Sequence, residues 1–119
     1  MIILVGVAAS RPFSSPGFSA LSPRHMKIVV SSNICWDGAT GGSASSSVEG
    51  CGAHTYDYPD EKVISGVFQL KNKCDYSGYT ESCESGTLTV TAYHTNGSVC
   101  EQASTIVRYG VATVGCSEF

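Results

Sequence analysis

Thr87-Leu88-Thr89-Val90-Thr91-Ala92-Tyr93-His94 is the stretch that decides the fold. Its period of two puts Leu88, Val90 and Ala92 on one face of a strand and Thr87, Thr89, Thr91 and Tyr93 on the other. Asn96-Gly97 follows at once and predicts a two-residue hairpin turn, because this dipeptide accepts positive φ at both central positions. Val99 then returns as an antiparallel partner.

Beyond that hairpin, Cys100 to Val114 carries two patterns. Thr105-Ile106-Val107-Arg108-Tyr109 reads as strand, while Cys100, Ala103, Ile106, Val107 and Gly110 share a helical face; the preceding hairpin decides for strand. Upstream, Val63 to Leu70 is rich in strand formers, with Gly66 marking a bulge or a close backbone approach. Lys27 to Ser31 reads as a first strand. Gly38 to Gly50, nearly all Gly, Ala, Ser and Thr, reads as a flexible loop. The expected fold is β-rich, all-β or α+β: a small disulfide-stapled antiparallel sheet or sandwich with at most one or two short helices.

At 119 residues the chain has room for one modest core. Its cysteines, Cys35, Cys51, Cys74, Cys83, Cys100 and Cys116, are spaced 16, 23, 9, 17 and 16 apart. No Cys-x-x-Cys pair occurs, which argues against a zinc ribbon or a thioredoxin-like motif. Three disulfides and an oxidising, secreted localisation are the reading that remains. The spacing leaves their connectivity open.

All six cysteines follow position 34, so residues 1–26 are read as separate from a single stapled domain, 27–119. Met1 to Ala9 is apolar and ends in small residues before a Pro- and Ser-rich stretch. It resembles the core and cleavage region of a signal peptide, although no Lys or Arg precedes it. A transit peptide, with Arg11, Arg24 and Lys27 and no acid, and a misassigned start near Met26 are the alternatives. No apolar run reaches the roughly 18 residues of a membrane-spanning helix.

From Lys27 onward five Lys and Arg stand against ten Asp and Glu, a formal net charge of −5. Such a surface repels phosphate backbones and lacks the cationic face of a membrane-disrupting peptide, so no nucleic-acid partner is expected. His54 lies near Tyr56, Asp57, Asp60 and Glu61, a set able in principle to do ribonuclease-like acid/base chemistry; an exposed polar loop is the commoner origin of such a cluster. Cys51-x-x-His54 is half a metal site without a second half. Hydrolase, protease and nucleotide signatures are absent. The reading is non-enzymatic and monomeric, with no metal and no cofactor. Asn96-Gly97-Ser98 is an N-glycosylation sequon at the hairpin tip.

Trp36, Tyr56, Tyr58, Tyr76 and Tyr79 form the candidate binding surface. Tyrosines among Asp, Ser and Gly supply large amphipathic faces at small entropic cost, which suits recognition of a protein or a carbohydrate.

In size, cysteine number and Ser/Thr/Gly-rich composition, the region Cys35 to Cys116 resembles the small cysteine-rich secreted proteins of fungi, which include plant-infection effectors and killer toxins. More narrowly, Cys83-x-x-Gly86, Ala92-Tyr93 and Cys100 followed by Ile106-Val107-x-x-Gly110 are similar to the middle of the virus-encoded killer toxins that block calcium channels. That narrower similarity implies an α/β sandwich, but those toxins are basic and carry a cysteine where this chain has Val111. The expected function is that of a secreted effector-like binding protein acting on a host or target-cell protein or carbohydrate. A killer-type toxin or antimicrobial protein is the first alternative, and a small ribonuclease-like hydrolase the second.

Overall fold

The computed structural model describes residues 25–118; the readings of a leader or a misassigned start concern residues outside that range, save at its boundary. Ten strands follow in order: β1 Met26–Ser32, β2 Cys35–Gly41, β3 Ser45–Cys51, β4 His54–Tyr58, β5 Val63–Lys71, β6 Cys74–Ser77, β7 Thr80–Cys83, β8 Leu88–Tyr93, β9 Val99–Thr105 and β10 Val111–Ser117. No helix occurs among the described residues. One four-stranded antiparallel sheet has the order β9-β8-β1-β4, the other β10-β5-β2-β3, and β6-β7 is a separate hairpin. Met26, placed by sequence at the end of the separate segment, is fully buried at the start of β1.

The sandwich closes because each central strand buries one face. Met26, Ile28 and Val30 of β1 and Leu88, Val90 and Ala92 of β8 meet Ile64, Phe68 and Leu70 of β5, Trp36 of β2 and Ala112 and Val114 of β10. Their partners in alternation face solvent: Val63, Ser65, Val67, Gln69 and Lys71 of β5 are all exposed. This is the period-two pattern read in residues 87–94, with one departure. Thr91 lies on the outward face yet is buried, because Gln102 of β9 crosses over it and donates Nε2–H to Thr91 Oγ1 at 2.8 Å.

Three further expectations are corrected. Gly38 to Gly50 is not a loop; it supplies most of the β2–β3 hairpin, paired in register from Cys35↔Cys51 to Gly41↔Ser45. Small residues serve here because the neighbouring chain comes close. A Cβ on Gly38 would lie 2.1 Å from the carbonyl oxygen of Val67, and one on Gly50 would lie 3.0 Å from the Trp36 ring. Glu61 holds the turn, accepting from Ser43 N at 3.1 Å and Ser43 Oγ at 3.3 Å. Of the two readings of Gly66, the bulge is absent, since β5 keeps register with both β2 and β10, and the close approach is made by side chains rather than backbone: a Cβ there would press on the Phe68 ring at 2.7 Å.

The third correction concerns the β8–β9 turn. Its loop is three residues, Thr95-Asn96-Gly97, closed by Gly97 N donating to His94 O and His94 N donating to Ser98 O, both at 2.9 Å. Only Gly97, at φ +88°, has positive φ. The turn is therefore of the type I plus left-handed residue kind rather than the two-residue kind. Gly97→Val is expected to lower stability by about 1–3 kcal/mol, since a β-branched residue is strained in the left-handed region. The space beside Gly97 is open, so the loss measured in a thermal melt reports backbone strain alone; an unchanged melt would contradict this turn.

Cys100 to Val114 contains no helix, and the strand expected over Thr105 to Tyr109 is corrected: β9 ends at Thr105, a loop carries residues 106–110, and β10 follows.

Candidate functional site

The cysteines pair as Cys35–Cys51, Cys74–Cys83 and Cys100–Cys116, and none is free. The first joins directly opposed residues of the β2–β3 hairpin, and the second does the same in β6–β7. The third differs, because β9 and β10 belong to different sheets. Around it, Gly115 N donates to Glu101 at 2.5 Å, Thr95 Oγ1 donates to Glu118 at 2.6 Å, and the His94 ring pairs with the same carboxylate. The Thr95 hydroxyl and His94 hold the Glu118 carboxyl below the usual carboxylate range. Among the described residues, two groups gather possible metal donors within 4.8 Å, His94 with Cys100 and Cys116, and Glu81 with Cys74 and Cys83. In both the two sulfurs are bonded to each other and offer no thiolate for an ion.

The five aromatic residues proposed as a binding surface divide into two groups. Trp36 is core, 1% exposed, which corrects its assignment to a surface. Its indole N–H donates to Gly52 O at 3.1 Å, and its ring meets Phe68 edge-on at 5.7 Å. Tyr56 packs against both of those rings. Tyr58 reaches Thr40, with the two hydroxyl oxygens 2.6 Å apart. Burial pushes both phenols above their ordinary pKa.

Tyr76 and Tyr79 are the other group, at 69% and 109% exposure on the β6–β7 hairpin. Sequence does not part them from the rest, since Trp36, Tyr56, Tyr58 and Tyr76 each stand beside an Asp and Tyr79 lies three residues from Tyr76. The Cys74–Cys83 bridge closes the hairpin at its base, and Gly78, at φ +61°, turns its tip.

What holds the hairpin in place is Arg108, which the sequence reading did not single out. Its guanidinium reaches Glu81 at 2.6 Å, Tyr76 Oη at 3.3 Å and Tyr109 Oη at 3.2 Å, and it lies 4.7 Å from the Tyr109 ring centroid. These bonds raise the Arg108 pKa, that to Tyr109 most. Glu81 is lowered, chiefly by its hydrogen bond with Tyr76 and then by Arg108. Tyr109 takes a left-handed backbone, φ +57°, and its N–H donates to the buried Asn72 side chain at 3.2 Å. Asn72 in turn donates to Glu84 O at 2.8 Å, so one side chain ties the 106–110 loop to the hairpin base. The sequence signal for this is an arginine beside a tyrosine in a stretch whose pattern is that of a strand.

The result is one end of the sandwich where Tyr76, Tyr79, Ile106, Val107 and Tyr109 are exposed around a fixed arginine. A groove of about 640 Å³ leads from Tyr109 along the outer face of the β10-β5-β2-β3 sheet, past the Lys71–Asp37 ion pair at 3.8 Å, to Cys35–Cys51. Aromatic and arginine side chains held rigid at a surface can bind a partner with little loss of side-chain entropy.

The ribonuclease-like set is not assembled around His54. Its ring lies 4.5 Å from that of Tyr56, on the opposite side of β4 from Asp57, which pairs with His25 at 3.7 Å. Among the described residues no helix is long and apolar enough to cross a membrane. The chain matches no protein-family model, no curated protein and no solved structure.

Proposed function

We propose that this is a secreted, cysteine-rich, effector-like binding protein that acts without catalysis on a host or other extracellular target protein. The observation that carries the reading is the exposed group Tyr76, Tyr79, Tyr109, Ile106 and Val107 around Arg108. Tyrosine and arginine are the residues that dominate protein–protein binding energies. A solvated loop has no need of so much exposed apolar surface, and the ion pair with Glu81 leaves the arginine anchored rather than free to wander. Three disulfides suit a chain that works in an oxidising compartment. A protein target is preferred to a carbohydrate because aliphatic Ile106 and Val107 add contact area that a sugar's hydroxyl-rich edge does not match.

The test is a photo-crosslinking amino acid at position 79. It should capture a target saturably, and unlabelled wild-type protein should compete at least tenfold better than the Tyr76→Ala/Tyr79→Ala double variant, a loss of about 1.4 kcal/mol or more. Both tyrosines are exposed, so the double variant should melt with the wild type. Equal competition by the folded double variant would end this reading.

A further inference from the structure

The chain has three asparagines, and the structure separates one of them from the other two. Asn33 donates Nδ2–H to Ser85 O at 3.4 Å, and Asn72 donates to Glu84 O at 2.8 Å. Each is followed two positions later by a disulfide-bonded cysteine, Cys35 or Cys74. Asn96 instead begins Asn96-Gly97-Ser98. Its Oδ1 accepts from Ser98 N at 2.9 Å and from Ser98 Oγ at 2.6 Å. Its Nδ2 has no partner among the described residues, and Asn96, Gly97 and Ser98 are all exposed.

We propose that Asn96 is a site of N-linked glycosylation, with the glycan standing at the pole of the sandwich opposite the aromatic surface. In the transfer, Nδ2 attacks the anomeric carbon of an oligosaccharide carried on a polyprenyl pyrophosphate. The new C–N bond replaces the C–O bond to pyrophosphate, the lipid pyrophosphate leaves, and the amide gives up one proton. An amide nitrogen is a weak nucleophile because its lone pair is delocalised into the carbonyl. Two donors from Ser98 to Oδ1 draw charge onto that oxygen and make the Nδ2 protons easier to lose. Both bonds span only two residues, so they can form in a nascent chain before either sheet exists.

The fold then accommodates the product. The acceptor lies on the three-residue loop between β8 and β9, where a Cβ at Gly97 would meet nothing within 4 Å. The 106–110 loop is at the far end of β9, across a seven-residue strand, or about 20 Å at strand rise. A glycan on Asn96 therefore covers the end closed by His94, Glu118 and Cys100–Cys116 and leaves Tyr76, Tyr79 and Tyr109 clear. The proposal rests on the secreted part of the proposed function and is independent of the binding surface.

The experiment is secretion of the full chain from a eukaryotic cell behind a supplied leader, with intact mass recorded before and after peptide-N-glycosidase. Disulfide-bonded product should carry one glycan per chain, whose removal leaves aspartate at position 96. Asn96→Gln and Ser98→Ala should be secreted at the bare mass, while Ser98→Thr, which keeps the hydroxyl, should keep the glycan. Bare wild-type product, or a glycan that persists in Asn96→Gln, overturns the proposal.

Discussion

Trp36→Ala is expected to destabilise the protein by about 3–5 kcal/mol, the range for removing a large buried aromatic side chain. Total stability for a domain of this size is on the order of 5–15 kcal/mol, so the variant should be largely unfolded under mild denaturant. The size of the effect follows from the position of the ring. It is 1% exposed, sits over Gly50, meets Phe68 at 5.7 Å and Tyr56 at 6.4 Å, and satisfies its N–H on Gly52. Removing it leaves a cavity among groups already fixed in two sheets, with little freedom to collapse. Trp36→Phe should cost less, because it keeps most of the volume and forfeits one hydrogen bond worth about 1 kcal/mol. Urea unfolding followed by far-ultraviolet dichroism measures both. A Trp36→Ala midpoint equal to wild type would return Trp36 to the surface role suggested by composition.

Removing the inter-sheet bridge with Cys100→Ala/Cys116→Ala is expected to cost about 3 kcal/mol by loop entropy, the value for a closed loop of about 15 residues. The β6–β7 bridge should behave otherwise. Cys74 and Cys83 lie 9 apart, and their bridge closes a two-stranded element outside both main sheets. Cys74→Ala/Cys83→Ala should therefore leave most of the global melt in place while loosening Tyr76 and Tyr79, and capture through position 79 should fall. Equal loss of global stability in the two double variants would show that the β6–β7 hairpin is part of the cooperative core.

The hairpin prediction from residues 87–94 succeeded in strand, face and return because alternation is a local property: every second side chain faces the same way whatever lies opposite. Its turn is one residue longer than the dipeptide predicts. Asn-Gly suits a two-residue loop, but the three-residue loop also places Gly97 where positive φ is needed, and dipeptide identity does not distinguish the two. The Gly38 to Gly50 stretch failed for the opposite reason. Its residues have weak strand preference, and they become strands because Trp36, the Cys35–Cys51 bridge and close approach by β5 reward an extended, small-residue chain. That reward comes from neighbours distant in sequence.

A β-rich, antiparallel chain, a core face of Leu88, Val90 and Ala92, and six cysteines numbered and spaced for three bridges are all legible in residue order. Each rests on side-chain period or on counting, which need no knowledge of the third dimension. The folded chain is needed to show which cysteines pair, that only Cys100–Cys116 joins the two sheets, that Trp36 is core while Tyr76 and Tyr79 are surface, and that Arg108 and Asn72 bind the hairpin to the loop after β9. Those facts depend on which of several similar side chains happen to be brought within hydrogen-bonding or packing distance by strand order. Strand order is set by the sum of many weak contacts across the sandwich, and no single stretch of sequence contains that sum.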